Sequence, residues 1–195
     1  MAGFLLIINI FMENKTKKIQ IGVIGSCADL QYSRKIEKMA EETGCWVARK
    51  DAILIFGAEK DYDSLSSAAC RGAKKAGGLT VGVTYGKGLD VIEKNADVII
   101  ACGMERGGGR ELVLSLSCDA IIVLNGGSGT LTEMAIAYQA GIPIIAFKNT
   151  GGWSERLADQ FLDDRKRLKI VSCTKPKTAV ELALKLSSRR RLHQK

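Results

Sequence analysis

The chain has 195 residues, a formal net charge of +8, 46% hydrophobic and 26% charged residues, and only two prolines, Pro143 and Pro176. That length suits one well-buried core and is short for two, and the composition argues against a long disordered chain. Six cysteines, Cys27, Cys45, Cys70, Cys102, Cys118 and Cys173, stand singly beside one histidine. Without a CxxC pair no metal site is expected, and the thiols suit small buried residues in a reducing, cytoplasmic setting.

The opening stretch Met1 to Phe11 is mostly apolar but lacks a basic leader and is too short to span a bilayer. Met12 precedes the polar run Glu13-Asn14-Lys15-Thr16-Lys17-Lys18 and is an alternative start. Residues 1–18 are therefore expected outside the core, residues 19–187 as a single domain, and residues 188–195 as a basic tail. Arg189-Arg190-Arg191 and Lys195 carry much of the positive excess. A solvated tail is the leading reading there and an anionic surface or nucleic acid the competing one; no aromatic residues interleave with the arginines, so nucleic acid is the weaker partner.

Between the ends, apolar runs of strand length alternate with helix-period segments. The strand runs are Ile19 to Ile24, Ile53 to Phe56, Leu79 to Thr84, Val98 to Ala101, Ala120 to Leu124, Ile142 to Phe147 and Lys169 to Val171. Helices are expected over Leu30 to Arg49, Ser64 to Ala76, Gly109 to Ser117, Thr130 to Ala140, Ser154 to Phe161 and Lys177 to Leu186. Ser64 is a cap candidate, and Gly77-Gly78 and Gly141 are stop signals. Strands apolar on both faces, alternating with helices, predict an α/β, Rossmann-like, doubly wound and mostly parallel sheet with helices on both faces.

In such a sheet, ligands sit beyond the carboxyl ends of the strands, so the loops there are the candidates for chemistry. After the first strand, Gly25-Ser26-Cys27-Ala28 supplies small residues but no GxGxxG fingerprint. Cys27 could meet a ligand, although nothing beside it in sequence would activate its thiol. After the second strand, Lys60 and Ser64 are the candidate contacts in a loop that also holds Glu59, Asp61 and Asp63. After the fourth, Gly107-Gly108-Gly109 would let the backbone approach a ligand, and Arg110 offers a planar fork to phosphate or carboxylate.

The loop Asn125-Gly126-Gly127-Ser128-Gly129-Thr130 is the strongest candidate. Its Gly126, Gly127, Ser128 and Gly129 expose successive N–H groups, with Thr130 as the expected cap of the next helix, a pattern suited to cradling phosphate. It lacks the lysine of a P-loop, which argues against NTP hydrolysis. Glu133 reads either as a ligand-binding or catalytic group or as the capping-box partner of Thr130, and the two roles are compatible.

From Gly109-Arg110-Glu111 through Gly126-Gly127-Ser128-Gly129-Thr130-Leu131-Thr132-Glu133, the chain resembles the Lonely Guy (LOG) phosphoribohydrolase superfamily, once labelled "possible lysine decarboxylase". That superfamily carries PGGxGTxxE with an arginine 23 positions ahead of the glutamate, as Arg110 stands to Glu133 here. Within it the chain looks closer to the nucleotide-binding branch that includes molybdenum-cofactor carriers. The resemblance implies a small phosphorylated ligand, a nucleoside 5′-monophosphate or a pterin-type molecule, with no other cofactor required. In a phosphoribohydrolase Arg110 would orient the nucleotide and Glu133 would stabilise the ribosyl cation or handle water, releasing free base and ribose 5-phosphate. The carrier or sensor alternative needs binding alone. A DNA-binding role draws on the charge and on a distant likeness to DNA-processing protein A. Relatives also assemble, so a homo-oligomer is expected. Asn125 stands where the motif has proline, Glu111 where a lysine usually follows the arginine, and the loop from Gly57 to Asp63 where phosphoribohydrolases are glycine-rich. No lysine has a recognisable Schiff-base setting for pyridoxal phosphate.

Overall fold

A computed structural model describes residues 17–105 and 109–193. The apolar opening segment, the Met12 start, Arg106, Gly107 and Gly108 of the third loop, and Lys195 lie outside the described residues.

The alternating apolar runs become β1 (Gln20–Gly25), β2 (Ile53–Gly57), β3 (Thr80–Thr84), β4 (Val98–Ala101), β5 (Ala120–Leu124), β6 (Ile144–Phe147) and β7 (Val171–Cys173). They form one seven-stranded sheet in the order β4-β3-β2-β1-β5-β6-β7. Every pairing between these strands is parallel. The chain lays down β1 to β4 outward in one direction, then returns to place β5 against the other side of β1. This reversal between β1 and β5 is the switch point at which neighbouring connections part and leave a crevice.

Side chains alternate across each strand and so feed two cores. Ile21, Val23, Leu54, Phe56, Ile122 and Leu124 pack with α1 (Arg34–Arg49), α2 (Leu65–Lys75) and α6 (Pro176–His193). On the opposite face, Ile24, Ile55, Val83, Ile121 and Val123 pack with α3 (Arg110–Leu116) and α4 (Ser128–Gln139), while α5 (Gly152–Leu157) adds Leu157 and Trp153. The α1–α2 crossing is close because glycine faces backbone twice: a Cβ on Gly44 would lie 1.8 Å from the Ala69 carbonyl oxygen, and one on Gly72 equally near that of Glu41.

Five element boundaries differ from the sequence reading for identifiable reasons. Helix α1 begins at Arg34, since Ser33 caps it through Ile36 N–H, and Ala28–Leu30 forms a separate 3₁₀ turn closed by Gln31 in left-handed backbone. The last strand shifts to Val171–Cys173 because Lys169 is taken by an antiparallel bridge to Phe161, which in turn keeps Phe161 out of α5. Helix α4 begins at Ser128, not Thr130. Helix α6 runs to His193, so residues 188–193 are not a separate tail. Arg191 is anchored by Asp119, its Nε donating to Oδ1 at 2.9 Å, and by the carbonyls of Lys17 and Lys18. The stop signals behave as read: Gly77 and Gly141 adopt φ of +74° and +64°, and Gly78 and Ile142 N–H donate back to Ala73 and Ala137.

Candidate functional site

The carboxyl ends of β1, β2 and β5 meet at the switch point, and three loops are tied together there. Asn125 takes φ of 55°, a left-handed conformation closed to the proline of the LOG motif, whose ring fixes φ near about −65°. Its side chain accepts from Ser26 Oγ at 3.1 Å and from Gly126 N–H at 2.8 Å, while its own N–H donates to Thr150 Oγ1 at 3.0 Å. Gly126 N–H also donates to Ser26 Oγ at 2.9 Å. Trp153 and Ser154 N–H groups donate to the Gly126 and Asn125 carbonyls, locking the start of α5 onto the same turn.

Helix α4 therefore starts from a fixed point. Its N-cap is Gly127, with no side-chain capping bond, so the N–H groups of its first turn have no partner within the helix. They open into a cavity of about 370 Å³ lined by Gly25, Ser26, Gly57, Arg110, Glu133 and residues 127–130, with Cys27, Asp29, Leu30, Glu59, Ser66, Glu111 and Thr132 completing the wall. One side of this cavity favours an anion through the helix dipole.

The other side is acidic. Arg110, the first residue of α3, has a side chain only 12% exposed and pairs with Glu59 from the loop after β2. Its second nitrogen lies 3.5 Å from Glu111 Oε1, and its guanidinium carbon lies 6.0 Å from the centre of the Tyr85 ring. Burial works against the charge of Arg110, but the carboxylates of Glu59, Glu133 and Glu111 outweigh it and hold the guanidinium firmly protonated.

Glu133 is 4% exposed, and its carboxyl makes no hydrogen bond or ion pair with a described residue. Burial pushes its pKa up to about 8; Arg110 opposes the rise, and Glu111 and Glu59 add to it. The Cys27 thiol is pushed up to about 12 by burial and then by Glu59, which leaves it a poor nucleophile at neutral pH.

The residues singled out in the sequence divide into two groups. Gly25, Ser26, Arg110, Gly127, Ser128, Gly129, Thr130 and Glu133 converge on the cavity. Lys60, Ser64, Gly109 and Gly126 do not line it. Lys60 Nζ reaches the Lys87 carbonyl at 2.9 Å, and Ser64 Oγ caps α2 by accepting from Ser67 N–H at 3.0 Å. Gly109 backs onto the Met104 side chain, and the Gly126 N–H is turned to Ser26 and Asn125. Thr130 lies within α4 rather than capping it, which removes the capping-box role for Glu133. Sequence reading missed Glu59, Asp29, Leu30 and Ser66. An acidic residue directly after an apolar strand was the available signal for Glu59, but its partner Arg110 lies 51 positions away.

Residues 18–180 match the SLOG cluster4 family. The chain belongs to that family. A relative from Archaeoglobus fulgidus, an uncharacterized protein, is 35% identical over 134 residues, 68% of this chain and 82% of that protein. Two solved structures share the fold over 88% of this chain and 99% of theirs. The molybdenum cofactor binding protein of Rippkaea orientalis is 26% identical with a TM-score of 0.74. The molybdenum cofactor carrier protein of Chlamydomonas reinhardtii is 27% identical with a TM-score of 0.72. These likenesses place the chain on the carrier-like side of the LOG/SLOG superfamily. Among the described residues, no helix is long and apolar enough to cross a membrane, and no cluster of three or more His, Cys, Asp or Glu has metal-binding geometry.

Proposed function

We propose that this SLOG cluster4 protein binds and holds a small phosphorylated heterocycle, of pterin or purine nucleotide type, rather than turning it over. The observation that carries this reading is the state of Arg110. A phosphoribohydrolase of the LOG kind would use this arginine on its nucleotide, whereas here it is committed to Glu59 and Glu111 inside the protein. The open N–H groups at the start of α4 are the place for the phosphate. The names of the two structural relatives support a pterin-type ligand. No further cofactor is required by this reading.

Hydrolysis of a nucleoside 5′-monophosphate is the second reading, and Glu133 favours it, being buried, unpaired and directed to the cavity as that chemistry demands. One experiment separates the two. Purified protein is incubated with nucleoside 5′-monophosphates and a pterin phosphate, and thermal shift and free base are scored in the same samples. Stabilisation without base release is expected. Base release that disappears in Glu133→Ala would overturn the carrier reading and establish the hydrolase.

The same reading includes a homo-oligomer built on α3 and α4. Between Leu112 and Ala140 there is no lysine or arginine, and the acidic residues there are Asp119, paired with Arg191, and the buried Glu133. Leu112 and Leu116 on α3 are 46% and 53% exposed, and Val98 and Ile100 on the edge strand β4 are 44% and 42% exposed. Two copies of a chain carrying +8 repel through most surfaces, so an uncharged, self-complementary face is the one that suits a second copy. A cytoplasmic setting accords with six free cysteines.

A further inference from the structure

A carboxyl group that faces a cavity without a partner from its own chain is open to a donor from a ligand. Glu133 is such a group: 4% exposed, on the cavity wall, and without a hydrogen bond or ion pair to a described residue. Its surroundings sharpen the demand. Asp29, Glu59 and Glu111 also line this cavity, and the Arg110 guanidinium beside them is already engaged by Glu59 and Glu111. A second anionic group on the ligand is therefore unwelcome at this end, and hydrogen-bond donors are favoured.

The shape narrows the class further. Gly25 and Gly57 at the ends of β1 and β2 line the cavity with backbone, and Leu30, 55% exposed, overhangs Gly127 as an apolar side wall. A flat ring with one apolar face and an edge of adjacent N–H donors fits this arrangement. Two parallel N–H groups meet two carboxylate oxygens in the same geometry as an arginine–carboxylate fork.

We propose that Glu133 receives the paired N–H donors of a 2-amino-4-oxopyrimidine ring, the edge common to guanine and to pterins, while the ligand's phosphate lies at the start of α4. This rests on the carrier reading and adds to it the chemistry that selects the ligand. Guanine offers N1–H and the 2-amino group to this carboxylate, and a pterin offers N3–H and the 2-amino group. Inosine lacks the amino group, and adenine presents an acceptor where the ring N–H should be.

The test is titration calorimetry of the full chain with GMP, IMP, AMP and a 6-substituted pterin phosphate, on wild type and Glu133→Gln. Wild type is expected to bind GMP or the pterin phosphate at least about tenfold more tightly than IMP and AMP, one charge-assisted hydrogen bond being worth about that factor or more. Preference for GMP over the pterin phosphate, or the reverse, tells which of the two sources the pocket serves. Glutamine offers one acceptor and one donor, the complement of adenine, so Glu133→Gln should reverse the order and favour AMP over GMP. A merely structural role would weaken all four alike and would overturn the proposal, as would a wild type that binds all four equally. Wild-type discrimination needs no variant, so a poorly folding mutant cannot mask the answer. If none of the four binds, it is the carrier reading itself that fails.

Discussion

Arg110 and Arg191 stand at opposite ends of the sheet, both beside carboxylates, and they are balanced in different ways. Arg191 meets one carboxylate, Asp119, and spends its other donors on the Lys17 and Lys18 carbonyls at 2.6 and 3.0 Å. Asp119 in turn accepts from Gln20 N–H at 2.8 Å, so charges cancel and the polar atoms are satisfied. Arg110 faces three carboxyl groups, those of Glu59, Glu111 and Glu133, and the last makes no hydrogen bond or ion pair with a described residue. The amino end of the sheet is built to hold the fold, and the carboxyl end keeps a carboxyl group open to a ligand.

The largest effect expected is from removing the Arg110 guanidinium. Arg110→Met should cost about 3–5 kcal/mol in chemical denaturation at pH 8, the usual penalty for leaving buried charge without its partner. A variant of near wild-type stability would mean that the cavity carboxyls do not depend on Arg110.

Glu133→Gln should act in the opposite direction, by a few kcal/mol at most. The folded pKa of Glu133, about 8, lies above the value of about 4.3 for an unfolded glutamate. Below the unfolded value both states hold the proton and the residue contributes no penalty. As pH rises from there, the unfolded chain loses the proton first and the folded state is progressively disfavoured, with the full penalty present above pH 8. Glutamine removes that penalty. Melting curves of wild type and variant should coincide near pH 4 and separate by several degrees at pH 9, with the variant the more stable. Curves that stay parallel across this range would show that Glu133 titrates normally.

At the balanced end the sign reverses. Burial works against the charge of Asp119, but Arg191 and the Gln20 N–H outweigh it and hold its carboxyl below the ordinary range. Its contribution is present above the unfolded value of about 3.9 and lost as pH falls through the folded one. Asp119→Asn should therefore cost about 1–3 kcal/mol at neutral pH and little in strong acid. Equal losses at both would remove the ion pair as the cause.

These two clusters also mark how far the sequence could be read. The strands were legible because each is apolar on both faces, and the α4 loop because its glycines stand close together in sequence. Arg110 and Glu133 were legible through their spacing, yet the environment that changes their chemistry was not. Glu59 follows β2 and reaches Arg110 because α3 packs across β2 and β3, a relation set by the tertiary fold. Lys60 and Ser64 lie outside the cavity lining, where a neighbouring carbonyl and a helix cap claim them, and neither partner is visible in local sequence. The basic end was read as a tail because charge hides amphipathic periodicity, whereas Asp119 and the carbonyls of residues 17 and 18 give Arg191 a place to dock.

Helix α3 extends the comparison, because it begins at Arg110 inside the cavity and carries Leu112 and Leu116 on an exposed flank. Leu112→Lys with Leu116→Lys should change folding stability by about 0.5 kcal/mol or less per site, since neither side chain is buried in the isolated chain. In the assembly the same charges would face each other across a two-fold contact, where like charges repel and lysine loses its solvation. Light scattering should then report a monomer for the double variant and a larger species for wild type. A wild type that is monomeric at high concentration would leave the uncharged flank unexplained by self-association. If the variant dissociates while keeping its affinity for the phosphorylated ligand, each cavity is complete within one chain, and assembly acts on something other than binding.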